Sequence, residues 1–98
     1  MKEAYIVAGY RSAVGKAKKG GFKFYRPDDL GADVVKHLVK SVPNLDPNRI
    51  EDIICGNAIP EGEQGMQIGR MVSLRAGLPL TAAGVTVNRY CGSGVETI

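Results

Sequence analysis

Val85-Thr86-Val87-Asn88-Arg89-Tyr90-Cys91-Gly92-Ser93-Gly94-Val95 begins as a β-prone apolar run and passes through a cysteine into small residues. The alternation over Gly84–Asn88 predicts a strand, and the residues from Cys91 onward predict the opening turns of a helix. A cysteine therefore stands where a strand turns sharply into a helix, the logic of a nucleophile elbow with sulfur in place of serine. Three physical arguments favour chemistry at that position. A helix N-terminus lowers a thiol pKa and so raises the thiolate fraction. Its free backbone N–H groups can stabilise an oxyanion. Gly92, Ser93 and Gly94 carry little bulk, so a substrate can approach closely. Two other readings of the same residues stay open: a passive thiol in a glycine-rich turn, and a phosphate cradle. The cradle lacks the spacing of a P-loop or a dinucleotide fingerprint.

Working outward, the same alternation of strand and helix recurs. Asp52-Ile53-Ile54-Cys55-Gly56 predicts a strand, and Ala4-Tyr5-Ile6-Val7-Ala8, ended by Gly9, predicts an earlier one. Pro27-Asp28-Asp29 opens a helix, since proline suits the first turn and acids favour the positive end. Leu30, Val34, Leu38 and Val42, flanked by Val35 and Val39, give that helix one apolar stripe, and Pro43-Asn44 stops it. Asp46-Pro47 reads as a cap and first-turn proline of a short helical turn. After the polar loop Ile59–Gly65, Ile68, Met71, Val72 and Leu74 mark a second helix that ends at Gly77-Leu78-Pro79. The order βα, βα, βα predicts an α/β layered sheet with parallel strands. The last helix runs barely two turns before Ile98, with no cap, and the sequence is read as truncated.

Composition bounds the function. With 98 residues, 44% hydrophobic and 23% charged, the chain is globular and no larger than one small domain. No apolar run approaches the ~20 residues of a membrane helix. No charged-then-apolar secretory leader is read in the first residues, so a cytoplasmic location is expected, with mitochondrial or peroxisomal residence open for a eukaryotic source. Cys55 and Cys91 have no accompanying Cys/His cluster, so no metal site is expected, and Cys55, among apolar neighbours, reads as a structural thiol. His37 lies beside the apolar stripe and reads as a surface or boundary residue. The net charge is +3, with ten Lys/Arg against five Asp/Glu in residues 1–49 and three against five thereafter. Lys16, Lys18, Lys19 and Lys23 crowd a long glycine-bearing loop, residues 9–27. That loop reads as solvated, with a phosphate-bearing ligand or polyanion as the alternative. Neither aromatic interleaving nor a motif supports nucleic acid, and no such partner is expected.

Val87-Asn88-Arg89-Tyr90-Cys91-Gly92-Ser93-Gly94 resembles the thiolase active-site signature, V-N-x-x-C-[GS]-S-[GS]. Arg11-Ser12-Ala13-Val14-Gly15-Lys16 resembles the same family's early R-[ST]-x-[IMV]-G-[KR] segment. Arg26–Leu30, Gly56-Asn57, Gln64-Gly65 through Arg70, and Ala76–Pro79 follow in the family's order, so the resemblance spans nearly the whole chain. It implies the layered αβαβα thiolase fold, of which residues 1–98 form a partial N-terminal domain. It implies that Cys91 is the catalytic nucleophile, carrying the acyl group as a thioester and giving its backbone N–H to an oxyanion hole. Coenzyme A and acyl-CoA are then substrates, with no permanently bound cofactor. The reaction is thiolysis of a 3-ketoacyl-CoA or, in reverse, Claisen condensation. Gly20-Gly21-Phe22-Lys23 resembles the broad-range 3-ketoacyl-CoA members more than the acetoacetyl-CoA-specific ones. The resemblance also implies a homodimer or homotetramer, with Val85–Asn88 and Gln64–Leu74 towards the subunit interface. The family's activating histidine and second cysteine belong to G-H-P and C-x-G motifs that do not occur in these residues, so the isolated chain is expected to be inactive. A competing reading is a non-catalytic interaction module or degenerate paralogue that pairs with a complete subunit.

Overall fold

The structure, a computed structural model, describes residues 1–98. Helix α1 spans Pro27–Ser41, with Pro27 in its first turn, Asp28 and Asp29 at the positive end and Lys40 in the last turn. Val42 leaves the helical region and Pro43 cannot continue it. A 3₁₀ turn at Pro47–Arg49 is capped by Asp46, whose Oδ1 accepts from the Asn48 N–H at 3.0 Å. Strand β1 (Asp52–Gly56) follows, then a 3₁₀ turn at Gly62–Gln64, helix α2 (Ile68–Arg75) and strand β2 (Ala83–Val87). A final 3₁₀ turn at Tyr90–Gly92 runs directly into α3 (Ser93–Glu96).

The two strands pair in parallel, from Asp52 opposite Ala83 to Gly56 opposite Val87. Parallel neighbours need a long crossover, and α2 is that crossover. It stops in a Schellman motif: the Leu78 N–H reaches Ser73 O at 3.2 Å and the Gly77 N–H reaches Leu74 O at 3.1 Å. Gly77 takes the left-handed conformation this requires, at φ +75°. Helix α2 lies between α1 and the sheet. Its approach to β2 is backbone on backbone, because a Cβ on Gly69 would collide with the Val85 carbonyl. The core is correspondingly small: Ala32, Ile68, Val72, Leu78 and Ala82. Arg75 pairs with Asp29 and ties the two helices together at their rim.

One expectation needs correction. Ala4–Ala8 forms no strand; the sheet has two strands, and Tyr5, Ile6 and Val7 stand largely exposed. β-propensity describes fitness for a pleated surface, and a strand exists only where a ladder partner accepts it. The segment instead lies beside an open apolar groove of about 610 Å³ shared with Val35, Leu38, Val39 and Val42. The predicted α1 stripe is therefore only half-buried, and the helix packs into the core through Ala32 instead. No helix is long and apolar enough to cross a membrane.

Candidate functional site

Both strands end at the same edge of the sheet, where Asn57 N–H extends the ladder to Val87 O at 2.9 Å. In open α/β sheets ligands bind outside the carboxyl ends of the strands. Two turns occupy this edge. After β1, the side chain of Asn57, only 7% exposed, clasps its own loop. Its Nδ2 donates to Gln64 O at 2.6 Å, its Oδ1 accepts from Ile59 N–H at 3.3 Å, and Gln64 Nε2 returns to Ile59 O at 2.7 Å. After β2 comes the Asn88–Ser93 turn that carries Cys91.

That turn is braced from three sides. Asn88 Oδ1 accepts from the Tyr90 N–H at 2.9 Å. Ser93 Oγ accepts from the Arg89 N–H at 2.9 Å and donates to Tyr90 O at 2.7 Å. Gly92 N–H closes on Arg89 O at 2.9 Å. Within this frame Tyr90 sits at φ +47°, a conformation costly for a residue with a Cβ, immediately before the cysteine. From below, β1 supports the turn: a Cβ on Gly56 would come within 2.9 Å of the Ser93 backbone. The Cys91 thiol is exposed and free, and its backbone N–H donates to no acceptor in the chain. Cys91 lines none of the five cavities, and the largest groove belongs to the N-terminal segment and α1.

The other singled-out residues stand on β1 and α1. Cys55 is a free, half-buried thiol on β1, and burial pushes its pKa up, which keeps it protonated. His37 is exposed on α1 and packs edge-to-face on Tyr10 at 4.6 Å between ring centroids. No group of three His, Cys, Asp or Glu side chains is placed to hold a metal ion. Sequence reasoning treated Ser93 as a small, permissive residue, yet it is 5% exposed and is the strut of the elbow. It also missed the ion pair at the start of α1. Arg26 grips the buried Asp28 through two bonds, Nε–Oδ1 at 3.0 Å and Nη2–Oδ2 at 3.1 Å, and reaches Glu63 at 3.4 Å. The hydrogen bonds from Arg26, with a further one from the Asp29 N–H, hold the Asp28 carboxyl below the usual carboxylate range against the opposing effect of its burial.

Residues 4–98 match the family model described as thiolase, N-terminal domain. The chain belongs to the thiolase family. Over all 98 residues it is 52% identical to the 3-ketoacyl-CoA thiolase of Bacillus subtilis (strain 168). It is 48% identical to that of Shewanella sp. (strain ANA-3) and 47% identical to that of Shewanella baltica. In each comparison the whole chain aligns but covers 25% of the relative's length. The thiolase membership confirms the family and α/β class expected from the sequence.

Proposed function

We propose that this chain supplies the nucleophilic elbow of a 3-ketoacyl-CoA thiolase, with Cys91 as the acyl-carrying residue. The observation that carries the proposal is an exposed thiol, on a turn braced by Asn88 and Ser93 at the carboxyl edge of a parallel pair, whose own N–H is free to donate. In the degradative direction the Cys91 thiolate attacks the 3-keto carbon of the substrate. The carbonyl oxygen becomes an oxyanion that the Cys91 N–H stabilises. As it collapses, the C2–C3 bond breaks, the electron pair leaves on acetyl-CoA as its enolate, and that carbon takes a proton. The acyl group now sits on Sγ as a thioester. A second coenzyme A thiolate attacks it, releasing the shortened acyl-CoA and regenerating the Cys91 thiolate. The reverse sequence is a Claisen condensation.

Residues 1–98 are read as part of the N-terminal domain of a longer, dimeric or tetrameric enzyme whose substrates are coenzyme A and acyl-CoA, with no permanently bound cofactor. His37, on α1, packs against Tyr10 and is not read as the base for Cys91. General acid–base assistance is worth about 10²–10⁴ in rate, so these residues alone should be close to silent.

The test uses the full-length gene product. Incubation with an acyl-CoA and no free coenzyme A should leave an acyl adduct on the peptide containing Cys91, read by mass spectrometry. Cys91→Ala should abolish the adduct and lower thiolysis by about 10⁴-fold or more. An adduct on another residue, or a C91A enzyme of near-normal rate, would overturn the assignment.

A further inference from the structure

The chain's basic side chains concentrate away from the elbow. Lys16, Lys18, Lys19 and Lys23 carry four positive charges in a segment with no acid, more than the net +3 of the whole chain. All four are exposed, and none takes part in an ion pair. Their loop is folded locally. Gly20 N–H bonds Lys16 O at 2.7 Å, Lys23 N–H bonds Gly20 O at 3.1 Å, and Tyr25 N–H bonds Phe22 O at 3.0 Å. Phe22 anchors it, half-buried, against Gly15, where a Cβ would stand 3.2 Å from the ring. Phe24, two positions on, is 90% exposed, with the Lys23 ammonium 4.9 Å from its ring centroid. Phe22 and Phe24 flank Lys23 in the sequence, and the fold turns the first inward and leaves the second outside beside the lysines.

We propose that the Lys16–Tyr25 turn docks the protein on a bilayer surface rich in anionic lipid. The four lysines meet the headgroup phosphates, and Phe24 enters the boundary between headgroups and acyl chains. Long ammonium side chains reach outward while an aromatic body sits in the interface, the division of labour such a surface rewards. A nucleotide phosphate would call for a concave site, and none of the four lysines lines any cavity. A nucleic acid would call for a basic track with several freely presented stacking rings; of the two exposed rings in this turn, Tyr25 packs on Phe22 and bonds Asp33 through its hydroxyl, which leaves Phe24 alone free to stack.

The test is co-sedimentation of the full-length protein with phosphatidylcholine vesicles and with mixed phosphatidylcholine–phosphatidylglycerol vesicles. Binding should require the anionic lipid. It should fall steeply between about 0.1 M and about 1 M salt, where the screening length shrinks from about 10 to about 3 Å. Each lysine near the surface is worth about fivefold in partitioning, so K18Q/K19Q should bind about 30-fold more weakly. K18R/K19R should bind as the wild type does, and Phe24→Ser should weaken binding with the charge intact. Thiolysis should be unchanged in all three variants, which shows that they are folded. The proposal fails if neutral vesicles bind equally or if no vesicles bind. It also fails if K18Q/K19Q binds like wild type, or if a short single-stranded RNA binds more tightly and ignores Phe24→Ser.

Discussion

Two buried serines show how differently the same side chain can act. Ser93 Oγ both accepts and donates inside the elbow, whereas Ser73, with no exposed surface, leaves its Oγ without a partner. Removing one half of a satisfied buried pair costs about 1–3 kcal/mol, while removing an unsatisfied hydroxyl costs little or stabilises. Ser93→Ala should therefore lower stability by about 1–2 kcal/mol in denaturant titrations and slow acylation of Cys91, while Ser73→Ala should be neutral or slightly stabilising. Asp28 gives a pH signature. Its folded pKa lies below its unfolded value, so its contribution is fully present above the unfolded pKa and is lost as pH falls through the folded one. Between about pH 5 and the acid limit, wild type should lose stability more steeply than Asp28→Asn in thermal melts. Equal slopes would mean that the Arg26 pair does not act on folding.

At the scale of elements, glycines decide which contacts are negotiable. Gly77 meets nothing where a Cβ would go, so only its φ of +75° resists substitution. Gly69 would press a Cβ into the Val85 backbone, which cannot yield without parting α2 from β2. Gly77→Ala should cost about 1 kcal/mol, and Gly69→Ala about 3 kcal/mol or more, measured as shifts in denaturant midpoint. The reverse order would show that α2 is not held by backbone contact. These elements were legible from local chemistry. Pro27-Asp28-Asp29 marked the start of α1, Gly77-Leu78-Pro79 the end of α2, and the apolar runs both strands of the sheet. The strand-to-helix change placed Cys91 in a turn between β2 and α3. What stayed hidden depends on partners distant in the chain. Ala4–Ala8 has strand composition without a ladder, and the Gly56–Ser93 contact joins residues that no periodicity relates. The Asn57 clasp was beyond reach because an asparagine after a strand says nothing about which carbonyl its amide will find.

At the scale of the molecule, surface is the informative quantity. A folded monomer of 10.5 kDa is expected to expose about 5,400 Å², and this chain exposes 7724 Å². The difference, roughly 2,300 Å², exceeds the ~800 Å² that one partner contributes to a standard protein interface. Much of it is apolar. Tyr5, Ile6, Val7, Val95 and Ile98 are each more than 75% exposed, and the groove beside them is lined chiefly by hydrophobic side chains. Such a surface lowers its free energy by finding another apolar surface, so residues 1–98 on their own should not behave as a quiet monomer. The expected outcome is strong fluorescence enhancement of a hydrophobic dye, with concentration-dependent association by light scattering. Acyl transfer should be absent even though Cys91 remains reactive towards a small alkylating agent. Thiol reactivity and catalysis separate here, because the first needs only an exposed sulfur while the second needs a base and a substrate cleft around it. A monodisperse, dye-silent monomer would show that the exposed apolar surface is tolerated as it stands. Turnover by that monomer would show that the elbow carries more of the chemistry than its residues account for.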